Sequence, residues 1–72
     1  MSDLYWKRAE RIDVGSLCRC KDVLDSSWKY GVLRQFLGEG RYPYLIDIGS
    51  DEEVFELCEV QRSREPSAVN KF

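Results

Sequence analysis

Trp28-Lys29-Tyr30-Gly31-Val32-Leu33-Arg34-Gln35-Phe36-Leu37, then Gly38-Glu39-Gly40, then Arg41-Tyr42-Pro43-Tyr44-Leu45-Ile46-Asp47-Ile48-Gly49 is the stretch that decides the fold. Two runs rich in aromatic and branched residues flank a three-residue Gly-Glu-Gly. Such runs favour extended backbone, and glycine enters the positive-φ conformations of a tight turn at little steric cost. The reading is a β-hairpin. It holds four of the six Trp and Tyr residues of the 72-residue chain.

Working outward, Leu17-Cys18-Arg19-Cys20-Lys21 alternates, with both cysteines on one face and Leu17, Arg19 and Lys21 on the other. A first strand is therefore expected over residues 17–23, after a turn at Asp13-Val14-Gly15-Ser16. Asp25-Ser26-Ser27 is the turn into the hairpin, and Gly49-Ser50-Asp51 is the turn out of it. Glu53-Val54-Phe55-Glu56-Leu57 reads as a further strand, and Cys58-Glu59-Val60 as a terminal strand or one helical turn. Four or five short strands joined by close turns favour a small barrel, since an open sheet leaves its edges exposed. The expectation is a mainly β chain, a five-stranded barrel over residues 13–61.

Residues 1–12 read as a short N-terminal helix. Ser2 can cap it, Asp3 lies in its first turn, and Arg8 and Arg11 come late, in keeping with the helix dipole. Tyr5, Ala9 and Ile12 share a face at helical spacing. A helix this short has no stability of its own in water, so it must dock on the open end of its own core, on a partner or on a dimer mate. Residues 62–72 are polar and interrupted by Pro66, and read as a flexible tail.

Net charge is −2, but its distribution is uneven. Residues 13–60 hold ten acidic and five basic side chains, whereas both ends are positive. That balance argues against a nucleic-acid footprint on the folded part. No apolar run approaches membrane-spanning length, and the charged opening is unlike a signal peptide. With three cysteines, an odd number, the expectation is a cytoplasmic protein with free, reduced thiols.

Histidine is absent, which excludes His-based nucleophilic and general-base chemistry. Asp47, Asp51, Glu52, Glu53 and Glu56 lack the ordered spacing of a calcium loop, and Cys18, Cys20 and Cys58 lack the paired spacing of a zinc knuckle. The expectation is a non-enzymatic chain without metal or cofactor. Its candidate binding residues are Trp28, Tyr30, Tyr42 and Tyr44 on the hairpin, Trp6 near the N-terminus, and the acidic Asp51, Glu52 and Glu53 as a rim. Exposed Trp and Tyr are the usual composition of an interface hot spot, and an acidic rim suits a partner with a basic or mixed surface. Filling the core is the competing use of these rings.

From Val14 to Val60 the order of elements resembles a Tudor domain, within the wider group of SH3-like barrels. Val14-Gly15-x-x-Cys18-x-Cys20 looks like the family's opening strand, and Trp28-Lys29-Tyr30-Gly31-Val32-Leu33 occupies the place of its Trp-Tyr-x-Ala-x-Val strand. Asp47-Ile48-Gly49-Ser50 is similar to its Asp-Tyr-Gly-Asn turn. The resemblance implies a barrel and a reader of methylated lysine or arginine, yet the positions of the aromatic cage fall near Asp22, Lys29, Leu45 and Ile48, none aromatic. A looser similarity, through Trp28…Leu33-Arg34-x-Phe36-Leu37…Tyr42-Pro43-Tyr44, is to small SH3-like proteins of bacteriophages. It implies a cytoplasmic inhibitor that binds and occludes a host protein.

Overall fold

Cys18 and Cys20 alternate with Leu17, Arg19 and Lys21, and strand alternation turns both thiols inward while Arg19 faces out. The structure, a computed structural model, describes residues 4–63. Its strands in chain order are β1 (Leu4–Arg8), β2 (Leu17–Lys21), β3 (Lys29–Phe36), β4 (Tyr44–Asp47), β5 (Glu52–Phe55) and β6 (Leu57–Ser63), with a 3-10 turn at Arg11–Asp13. These six strands form one antiparallel sheet in the order β1-β6-β2-β3-β4-β5. The chain is mainly β.

The expected N-terminal helix is not there. Leu4–Arg8 is a strand, paired residue for residue with β6 from Leu4 opposite Ser63 to Arg8 opposite Glu59. The physical reason is the weakness of a short isolated helix against a ready-made strand edge on which its backbone groups find partners. Helical spacing would have grouped Tyr5, Ala9 and Ile12, but Ala9 is buried while Ile12 is 80% exposed. The expected end of the folded part also moves, because β6 runs on through Arg62 and Ser63. The rest of the anticipated tail, residues 64–72, lies outside the described residues.

The sheet is also not the closed five-stranded barrel expected. It has six strands, and no ladder joins β5 to β1 at the two ends of the order. It is nevertheless strongly curled. β5 and β6 stand four places apart in the sheet but are separated along the chain by Glu56 alone. With at most about 3.8 Å between consecutive Cα atoms, the β5 end must coil back to reach β6. Chain continuity draws the two halves together where a ladder is missing. Glu56 is pinned at this corner: its N–H donates to Asp22 Oδ1 at 3.0 Å, and its carboxylate accepts the Val23 N–H at 2.7 Å and pairs with Arg41. Arg41 and then the Val23 N–H hold the Glu56 carboxyl below the usual carboxylate range.

Two glycines mark where this curvature costs backbone freedom. A Cβ on Gly31 would lie 2.3 Å from the Asp47 carbonyl oxygen, so only glycine fits where β3 passes from β2 to β4. Gly49 adopts φ +107°, and its N–H donates to Asp47 Oδ1 at 2.8 Å, closing the turn before β5. That bond, with Arg34, holds the Asp47 carboxyl below its ordinary range. Further along β3 a register shift between Leu33 and Gln35 inserts an extra residue, and Leu33 and Phe36 both turn inward.

The concave side encloses Ala9, Cys18, Cys20, Leu33, Tyr44, Ile46, Phe55, Cys58 and Val60, with Phe36 and Ile48 against them. Asp13 is the one buried charge among the described residues. One of its oxygens accepts the Glu10 N–H at 2.7 Å and the other pairs with Arg62 of β6. This pair fastens the 3-10 turn to the last strand.

Candidate functional site

With Cys18, Cys20, Cys58 and Val60 turned inward, alternation sends Leu17, Arg19, Glu59 and Gln61 to the convex face of the sheet. The register then places Trp6 of β1 opposite Gln61, Arg19 opposite Glu59, and Tyr30 of β3 opposite Arg19 on its other side. Residues from four strands thus converge on one surface. Trp28, just ahead of β3, reaches the same surface.

Arg19 organises it. Its guanidinium carbon lies 4.2 Å from the centroid of the Trp6 ring and 4.2 Å from that of Trp28. Its Nε donates to Glu59 Oε1 at 2.9 Å. Lys21 extends the stack, with Nζ 5.2 Å from the Trp28 centroid, and Tyr30 closes the other end, its ring 6.4 Å from that of Trp6. A cation held between two aromatic faces and tied to a carboxylate is largely shielded from water, so its attraction to them is only weakly screened. The result is a platform of alternating rings and cations.

Beside this platform an open groove of about 310 Å³ is lined by Trp6, Leu17, Cys18, Tyr30, Gly31 and Gln61. Leu17 is 78% exposed and Tyr30 64% exposed. Apolar side chains gathered around a concavity mark a surface on which burial by another molecule would be favourable.

Of the residues expected from the sequence, the structure brings Trp6, Trp28 and Tyr30 together. Tyr44 is elsewhere: it is 1% exposed, its hydroxyl donates to the Ala9 carbonyl at 3.0 Å and accepts from Arg8 Nε at 3.3 Å, and its ring meets Phe36 at 5.5 Å. The expected union of Trp28 and Tyr30 with Tyr42 and Tyr44 therefore does not form. Tyr42 is exposed in the loop 37–43 beside Arg41. Asp51, Glu52 and Glu53 are exposed at the β5 end of the sheet and do not line the groove. Leu17, Arg19 and Gln61 are among the site residues that sequence reasoning missed. Leu17 carried a signal, since it shares the solvent-facing side of β2 with two cations. Gln61 carried none without the register of β1 on β6.

No group of three metal-ligating side chains comes together among the described residues. No protein-family model, curated protein or solved structure matches the chain.

Proposed function

We propose that this chain is a non-enzymatic binding module that docks a partner protein on the groove between Trp6, Leu17 and Tyr30 and acts by occluding the surface it covers. One observation carries the reading: an exposed apolar concavity beside aromatic rings already held in place by Arg19. Preformed aromatic anchors cost little entropy on association, which is why they recur at hot spots. The acidic Asp51, Glu52 and Glu53 lie outside the contact and would speed encounter with a partner of basic or mixed surface. Inhibition of a host protein in the cytoplasm is one use of such a module.

A methyl-cation reader draws less support. The Trp6 and Trp28 faces nearest each other already enclose the chain's own Arg19, so an incoming methylated lysine or arginine would have to displace it. Nucleic acid is also less suited, since Glu59 neutralises Arg19 at the centre of the platform.

The test is amide chemical-shift mapping with a partner captured from the source cell. Shifts should concentrate at Trp6, Leu17, Tyr30, Gly31 and Gln61. Shifts concentrated on β4 and β5 would reject the groove.

A further inference from the structure

Of the three cysteines only Cys18 lines the groove, and the docking proposed there uses none of the thiols. All three are free and buried, and they converge from two neighbouring strands of the core. Cys20 of β2 stands directly opposite Cys58 of β6 in the antiparallel register. Directly opposed residues have Cα atoms about 4.5–5.5 Å apart, inside the range of about 4.4–6.8 Å that a disulfide bridges. Cys18 is hydrogen-bonded to Cys58 through its thiol, but it lies two residues further along β2 and so on the diagonal. Diagonal Cα atoms are about 7–8 Å apart, too far without backbone movement. Cys18 and Cys20 are about 6.6 Å apart along one strand with parallel side chains, which keeps their Cβ atoms from closing.

We infer that Cys20 and Cys58 form a built-in oxidation site, a cross-strand disulfide between β2 and β6, with Cys18 left as the free thiol. With hydrogen peroxide as oxidant, one thiolate attacks a peroxide oxygen to give a sulfenic acid and release hydroxide. The second thiol then displaces water from that sulfur as the S–S bond forms. The two sulfurs lose two electrons and two protons, and one peroxide becomes two waters. Oxidised glutathione reaches the same product by two exchanges, releasing two reduced glutathiones.

The native fold resists this reaction kinetically. Burial pushes the Cys20 thiol up to about 12, and the hydrogen bond with Cys18 together with burial pushes Cys58 upward as well. The same hydrogen bond lowers Cys18, but Cys18 lies on the diagonal, and at the two opposed residues thiolate, the attacking species, is scarce until the sheet opens. Oxidation would proceed during folding or on local opening, and the bond would then join two neighbouring interior strands of the sheet.

The experiment is refolding of the full chain from denaturant, at low concentration, in a glutathione redox buffer. Remaining thiols are then alkylated under denaturing conditions and mapped by mass spectrometry. The expected product is a monomer lighter by two hydrogens, with a single alkylated cysteine at Cys18. A Cys18→Ala variant should give the same bridge, whereas Cys20→Ala and Cys58→Ala should give none within the chain. The bridged protein should also denature at a higher midpoint, and dithiothreitol should return it to the reduced value. Three alkylated thiols in refolded protein, a bridge that includes Cys18, or a midpoint lowered by the bridge would each overturn the inference.

Discussion

Trp28-x-Tyr30 and Tyr42-x-Tyr44 are nearly the same motif on opposite arms of one hairpin, and they end in opposite environments. Trp28 and Tyr30 lie on the convex face, where Trp28 stacks on Arg19 and Tyr30 stands beside the groove. Tyr44 is sealed in the core, while Tyr42 is left in the connecting loop. Alternation settles which residues of one strand share a face, but not which face it is. That depends on pairing partners. Tyr30 stands opposite Arg19, whereas Tyr44 stands between Phe36 and Phe55, past a bulge that changes the parity of β3.

The largest test of this contrast is a pair of truncations. Tyr44→Ala removes a buried ring and its hydrogen bond to the Ala9 carbonyl, and should cost about 3–5 kcal/mol, the usual range for a large aromatic in a core. Tyr30→Ala removes an exposed ring and should change stability by about 0.5 kcal/mol or less. Urea denaturation of both variants checks this. Similar losses for the two would break the distinction between the arms.

A second test moves to the chain ends, which the sequence assigned to a helix and a tail. Arg62→Ala leaves the Asp13 carboxylate buried with only the Glu10 N–H for a partner. It should destabilise by about 3 kcal/mol, as removal of one member of a buried pair does. A loss of a few tenths would mean that Arg62 behaves as part of a tail.

Much of the convex half was legible because its determinants are local. Cys18 and Cys20 alternate with charge, Trp28 and Tyr30 are two residues apart, and a turn at Gly49 follows from its neighbours. What was hidden depends on contacts between distant residues. Tyr5, Ala9 and Ile12 have helical spacing, and only pairing of residues 4–8 with β6, more than fifty residues away, overrides it. The extra residue near Arg34 leaves no mark in the composition of β3. The groove itself required β1, and so could not be seen while residues 4–8 were read as helical.

The smallest expected effect concerns pH, and it separates the loop fasteners from both faces. Asp47 and Glu56 have folded pKa values below their unfolded ones, for the bonds described to Gly49, Arg34, Arg41 and Val23. Their stabilisation is present above the ordinary carboxylate range and is lost as pH falls through the depressed values. Because their partners Arg34 and Arg41 are exposed, the loss should be slight and further weakened by salt. Urea midpoints between pH 7 and pH 3 should fall less in an Asp47→Asn, Glu56→Gln double variant than in the unsubstituted protein. An equal fall in both would remove these two carboxylates from the account.

The central claim is that the convex groove, and not the hairpin as a whole, binds the partner. The most direct measurement is the Kd of the captured partner for the Tyr30→Ala protein, read by calorimetry alongside circular dichroism. The account predicts an unchanged fold and binding weakened by about thirtyfold, equivalent to roughly 2 kcal/mol at a hot spot. An unchanged Kd in the folded variant would contradict it.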